Sequence, residues 1–67
     1  MNAKIETANY YLTLARDLTV RNKNREAVRA YDEAERHLPT ELLNATRQWR
    51  LQCQAERLAV LQIIAKC

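Results

Sequence analysis

The sequence of 67 residues contains no glycine, no phenylalanine and a single proline. Tight β-hairpin turns depend on glycine for positive φ angles, so its absence argues against a β-sheet fold. Alanine, leucine, arginine and glutamate, which favour helices, are frequent instead. We therefore predict an all-α fold in a single domain over residues 1–67. A chain this short buries only about 60% of its unfolded surface, so a monomer is expected to be marginally stable.

The sequence also lacks long apolar segments and is poor in cysteine. No apolar run approaches the roughly 18 residues that a membrane-spanning helix needs. The N-terminal segment MNAKIETANYY has no charged part followed by an apolar part, so we predict no signal peptide and a cytoplasmic location. The two cysteines, Cys53 and Cys67, suit reduced thiols in that compartment.

Residue patterns of catalysis and metal binding are missing as well. There is no nucleophile paired with a base, no phosphate-binding loop and no carboxylate pair in a recognisable cleft, so we expect neither an enzyme nor a cofactor or small-molecule substrate. His37, Cys53 and Cys67 lack the short paired spacing of zinc ligands. The arginines are interleaved with acidic residues and the net charge is only +3, which favours a solvated face over direct DNA binding.

The central stretch from Asn24 to Pro39 shows the clearest helical periodicity. Four apolar residues follow one another at steps of four, three and four, which places them on one face of a helix: Ala27, Tyr31, Ala34 and Leu38. We predict a second helix over 25–38, with Asn24 as its N-cap and Pro39 as its stop. The alanines on this face allow a neighbouring helix to approach closely, and Tyr31 is the large side chain that the neighbour must accommodate.

Helices are also predicted on both sides of this stretch, over 4–21 and 41–65. Asn22 or Asn24 can adopt the left-handed conformation in the first turn, and Thr40 is the expected N-cap of the third helix. The third helix is long, and its last turns, 58–65, are apolar on nearly every side. Such a segment is buried from several directions or binds a partner.

These patterns predict two sets of residues. The expected core consists of Ala15, Leu18, Ala27, Tyr31, Ala34, Leu38 and Trp49. The expected surface for a partner or a homodimer consists of Ile5, Tyr11, Leu12, Leu58, Leu61 and Ile64. An alternative prediction for Trp49 is that it is a hot spot for binding a partner. The core position is favoured because a small protein usually needs its one tryptophan inside.

The first two predicted helices resemble a single tetratricopeptide repeat. The residues at the signature positions of that repeat are Tyr11, Leu14, Ala15, Leu18, Ala27, Tyr31, Ala34 and Pro39. Repeats of this kind need about three copies for a stable stack, so one copy implies the geometry of the helix pair and not a superhelix. A small helical chaperone or adaptor, such as a secretion chaperone that binds a partner helix, is therefore one functional hypothesis.

A second resemblance covers about two thirds of the chain, from Tyr10 to Cys53. The chain is similar to the AraC negative regulator (ANR) family of small helical virulence regulators through Tyr10, Tyr11, Leu14, Ala15, Ala27, Tyr31, Ala34, Asn44, Trp49, Arg50 and Cys53. The resemblance implies a protein that binds an AraC/XylS-type activator directly and prevents it from dimerising or binding DNA. Some members of that family also contact the nucleoid protein H-NS, so the resemblance implies H-NS as a second candidate partner.

Overall fold

The computed structural model describes residues 3–38, 44 and 46–66. This part of the chain forms three helices: α1 (Ala3–Val20), α2 (Asn24–Arg36) and α3 (Arg47–Lys66). The prediction of an all-α fold with three helices is thus confirmed. None of the described helices is long and apolar enough to cross a membrane.

The turn between α1 and α2 takes its conformation from Asn22, whose φ angle is 64°. The Asn22 amide donates to the Thr19 carbonyl at 3.1 Å, and the Lys23 amide donates to the Leu18 carbonyl at 2.9 Å. This pair of bonds is a Schellman motif, which satisfies two carbonyls at the end of α1. Asparagine tolerates the left-handed region better than other non-glycine residues, so α1 can end sharply without glycine.

The ends of α2 differ slightly from the predicted ones. Lys23, and not Asn24, occupies the N-cap position, and its carbonyl accepts a hydrogen bond from the Ala27 amide at 2.9 Å. The Lys23 side chain makes no capping hydrogen bond, because an ammonium group cannot accept one. The helix ends at Arg36, before the predicted Leu38, whereas Pro39 lies outside the described residues.

The start of α3 also differs from the prediction. Helical structure begins at Arg47, while Asn44 and Thr46 lie in turns. The Thr46 carbonyl accepts the first hydrogen bond of the helix, from the Arg50 amide at 3.0 Å. Asparagine and threonine are weak helix formers, which agrees with a later start. The proposed N-cap Thr40 and the predicted helical residues 41–43 and 45 lie outside the described residues.

α2 packs against both α1 and α3, whereas backbone contacts between α1 and α3 are few. Small side chains dominate these interfaces. The buried alanines are Ala8, Ala15, Ala27, Ala30 and Ala34. Because alanine adds little bulk, the helices can approach closely, and the large Tyr31 side chain, only 2% exposed, fills the space between them.

The expected core residues take two kinds of position. Ala15, Ala27, Tyr31, Ala34 and Leu38 are buried, and Leu18 and Trp49 are partly buried and pack against the same cluster. The cluster also contains Cys53 and Val60 from the inner face of α3. Leu12, which we expected at an interface, is buried as well, since its side chain lies on the stripe of α1 that faces α2.

We expect Tyr31→Ala to lower the free energy of unfolding by about 3–5 kcal/mol, because it leaves a cavity between helices that are lined with alanine. Urea denaturation followed by circular dichroism measures this change. A loss below about 1 kcal/mol, typical of surface positions, would contradict the central role of Tyr31.

Candidate partner-binding groove

One carboxylate, that of Glu56 on α3, connects all three helices. The Tyr31 hydroxyl on α2 donates to Glu56 Oε1 at 2.9 Å. Arg16 on α1 donates from Nε to Oε1 at 3.0 Å and from Nη2 to Oε2 at 2.8 Å. This bidentate geometry fixes the guanidinium plane relative to the carboxylate. The Tyr31–Glu56–Arg16 cluster therefore joins α1 to α3, whose backbones make few contacts with each other.

The electrostatics of the cluster favour the charged form of Glu56. The hydrogen bond from Arg16, together with the one from Tyr31, holds the Glu56 pKa below its ordinary value despite partial burial. The same bond to Glu56 raises the pKa of Arg16. Burial, followed by the hydrogen bond to Glu56, raises the pKa of Tyr31. At neutral pH the cluster thus consists of a carboxylate, a guanidinium and a neutral phenol.

An open groove lies beside this cluster, between the end of α1 and the second half of α3. Its volume is about 370 Å³. The residues that line it are Arg16, Thr19, Val20, Tyr31, Glu56, Ala59, Val60 and Ile63. We name this surface the α1–α3 groove.

The α1–α3 groove has exposed apolar rims. Val20 at the end of α1 is 82% exposed, and Ile63 on α3 is 44% exposed. Val60 and Tyr31, both buried, form its floor. The Arg16–Glu56 ion pair lies at its edge with both side chains partly exposed. This arrangement can bind apolar side chains of a partner and offer a polar contact beside them.

The residues that we expected at a partner surface do not form one exposed face. Leu58 is exposed, whereas Ile5, Leu61 and Ile64 are half-buried, and Ile64 packs against the core. Tyr11 is also half-buried; its ring stacks on His37, with centroids 5.2 Å apart and an interplanar angle of 3°.

Sequence reasoning missed Val20, and it recognised Ile63 only as a member of the surplus apolar segment at the end of the third helix, without placing it at a groove. Val20 lies off the main apolar stripe of α1, so periodicity gave no reason to select it. Ile63 belongs to the apolar segment 58–65, but periodicity cannot separate the inner side of such a segment from its outer side. Their shared location depends on how α1 and α3 are placed around α2.

Trp49 forms a second polar connection between α1 and α3. Its indole Nε1 donates to Asn9 Oδ1 at 2.8 Å, while its ring packs against the core. A tryptophan with this arrangement buries its apolar body and keeps its one donor satisfied. Trp49 therefore contributes to packing, and its half-buried position leaves part of the side chain open to solvent.

Cys53 is fully buried on the inner face of α3. Its thiol donates to the Tyr31 carbonyl at 3.7 Å. Burial, followed by the negative charge of Glu35, raises the pKa of the thiol to about 12. Among residues 3–38, 44 and 46–66, no three histidine, cysteine or acidic side chains come together as metal ligands. Cys67 lies outside the described residues.

No protein-family model, curated protein or solved structure matches this chain.

We expect Glu56→Gln to destabilise the protein at pH 7 and to have less effect in acid. The pKa of Glu56 is lower in the folded protein than in the unfolded chain, where it is near 4.5. The ionised carboxylate therefore contributes its full stabilisation at pH values above 4.5, and this stabilisation is lost as the pH falls through the pKa of the folded protein. Urea denaturation of both proteins at pH 7 and pH 3 measures the difference. Glu26→Gln removes the same charge from an exposed position in the first turn of α2, where only the helix dipole favours it, so this control variant should show a smaller change at pH 7. An equal effect of Glu56→Gln at both pH values would contradict the ionised cluster.

We expect Cys53 to react slowly with a thiol reagent in the folded protein. A pKa of about 12 in place of 9.0 lowers the thiolate fraction at pH 8 roughly 1000-fold, and burial blocks access in addition. Reaction with Ellman's reagent is measured on the Cys67→Ser variant, with and without denaturing urea. A folded rate within about tenfold of the unfolded rate would show that the inner face of α3 opens readily.

Proposed function

We propose that the protein is a negative regulator of transcription that binds an AraC/XylS-type activator directly and prevents its dimerisation or DNA binding. Two independent considerations support this proposal. The first is the resemblance to AraC negative regulators through the residues between Tyr10 and Cys53. The second is the α1–α3 groove, an apolar surface suited to contact with another protein.

The groove is the single observation on which the proposed binding depends. Its exposed rims, Val20 and Ile63, lie on different helices and face a shared space. An amphipathic helix of the activator can insert an apolar side chain between them, as in other complexes of a helix with a groove. The ion pair of Arg16 and Glu56 at the edge can bond to polar groups of the same partner.

On this proposal the protein acts by covering a surface of the activator, and no chemical step is involved. The regulator occupies an apolar helical surface of the activator, which then cannot pair with a second activator molecule or engage its promoter. A cytoplasmic location belongs to the same proposal, because the activator acts on chromosomal DNA. The resemblance adds the nucleoid protein H-NS as a second candidate partner.

A small chaperone or adaptor is the alternative function. The observation that favours it is the close α1–α2 pair, in which Ala8, Ala15 and Ala27 are fully buried. This packing through small residues is typical of the helix pair in a tetratricopeptide repeat. Purification of the tagged protein from its host distinguishes the two proposals: an activator supports the first, and a secreted substrate supports the second.

We expect the protein to lower the occupancy of a promoter by its AraC/XylS-type activator. Electrophoretic mobility shift with purified activator and promoter DNA measures this effect. Val20→Arg should weaken inhibition at least about tenfold, because it places a charge where an apolar side chain would be desolvated. Leu58→Arg, a matched change at an exposed leucine outside the groove lining, should inhibit normally.

Unchanged promoter occupancy at a several-fold molar excess of the wild-type protein would contradict the regulatory function. Full inhibition by the Val20→Arg variant, with a circular dichroism spectrum like that of wild type, would contradict the groove as the binding site.

A further inference from the structure

The buried residues of α3 form a single line along the helix. They are Cys53 and Val60, which lie about two helical turns apart and therefore share one face. Ile64, which is half-buried, continues this line against the core. A helix that is held along one line can roll about it, so the rotation of α3 depends on the contacts on its two flanks.

An ion pair lies on each flank of this line. Glu56 pairs with Arg16 on α1, and the next residue, Arg57, has its Nε 3.6 Å from Asp32 Oδ1 on α2. Adjacent residues of an α-helix are separated by about 100°, so the two side chains leave α3 on opposite sides of the line. The contact with α1 is the tighter one, because Arg16 donates to both carboxylate oxygens of Glu56, at 3.0 and 2.8 Å.

The polar contacts between α1 and α3 follow a heptad spacing. Trp49 Nε1 donates to Asn9 Oδ1 at 2.8 Å, and seven positions later on both helices Glu56 pairs with Arg16. A further step of seven along α3 reaches Ile63, a rim of the α1–α3 groove. Ile63 therefore lies on the same flank as Glu56, and the rotation set at Glu56 determines the distance from Ile63 to the opposite rim.

Exposed ion pairs usually contribute little to stability, but this pair is anchored in the core. The Glu56 side chain is only 27% exposed, and its carboxylate also accepts the hydroxyl of Tyr31, whose ring is buried. A carboxylate that is held on one side by a buried ring has little freedom to move. Its bidentate contact with Arg16 therefore relates the position of α1 to that of the core.

We propose that Arg16 is the positioning residue of the α1–α3 groove: its ion pair with Glu56 fixes the rotation of α3, and the groove changes width when the pair is broken. Backbone contacts between α1 and α3 are few, so the distance between them depends on side-chain contacts. Without the pair, Cys53 and Val60 still hold α3 against the core, and the helix rolls about them. The inference rests on the groove of the proposed function and deepens it, but it requires no particular partner.

The distance between spin labels on the two sides of the groove tests the proposal. Arg21→Cys and Gln62→Cys place labels at exposed positions next to the rims, in a Cys67→Ser background in which Cys53 is buried. We expect electron–electron double resonance to give a narrow distance distribution in this protein. Arg16→Gln should broaden the distribution and shift its centre by roughly 3 Å, since a roll of about 20° moves a side chain about 10 Å from the line by that amount.

Two controls separate rotation of α3 from general loosening. Arg36→Gln removes an exposed arginine that pairs with Glu33 within α2, and it should leave the groove distance unchanged. Labels at Thr13→Cys and Arg29→Cys, both at exposed positions, report the distance between α1 and α2. This second distance should not respond to Arg16→Gln.

Two further variants separate the ion pair from the shape of the side chain. Arg16→Lys keeps the charge but replaces the bidentate contact with a single ammonium group, so it should give an intermediate width. Arg16→Glu combined with Glu56→Arg rebuilds the pair in the reverse direction, because the Tyr31 hydroxyl can accept a hydrogen bond as well as donate one. This exchange variant should narrow the distribution again.

A distribution that Arg16→Gln leaves unchanged would overturn the proposal, as would an equal change in the groove distance and in the distance between α1 and α2. An exchange variant that folds, as judged by circular dichroism, but is as broad as Arg16→Gln would also overturn it, because packing and not the ion pair would then set the distance. All these measurements use the protein without a partner. A failure of the regulatory function would therefore leave their outcome unaffected.

Discussion

The carboxylate of Glu56 accepts hydrogen bonds from Tyr31 on α2 and Arg16 on α1, and these contacts hold together helices whose interfaces consist largely of alanine. Alanine permits close approach but contributes little burial energy per residue, so a small core of this kind depends on its few large or polar contacts. Tyr31 is both a large contact and a polar one. Its ring fills the centre of the bundle, and its hydroxyl donates to Glu56, the only carboxylate among the described residues that connects all three helices.

The same cluster determines where apolar surface remains open. Arg16 and Glu56 join α1 and α3 near the end of α1, and Trp49 with Asn9 joins them in its first half. Beyond the Arg16–Glu56 pair, Val20 of α1 and Ile63 of α3 border the groove. A protein of this size has too few residues to cover both sides of a helix of 20 residues. The groove and the exposed leucines of α3, Leu51 and Leu58, are therefore consequences of one packing arrangement.

The exposed apolar surfaces of the molecule differ in chemistry. The α1–α3 groove is a concave apolar space beside an exposed ion pair, and such a site can distinguish partners through both shape and charge. The exposed leucines of α3, Leu51 and Leu58, lie outside the groove lining and have glutamines beside them in the sequence.

Periodicity and composition were sufficient to predict three helices, the inward face of α2 with Ala27, Tyr31 and Ala34, and an asparagine in place of glycine in the first turn. These features depend on local spacing and on intrinsic backbone preferences, which the sequence contains. The contacts of Glu56 with Tyr31 and Arg16 join residues 25 and 40 positions apart, and the groove is formed by residues of three helices. Only tertiary packing decided these features, because it sets the relative rotation of the helices and so determines which side of an apolar segment such as 58–65 remains exposed.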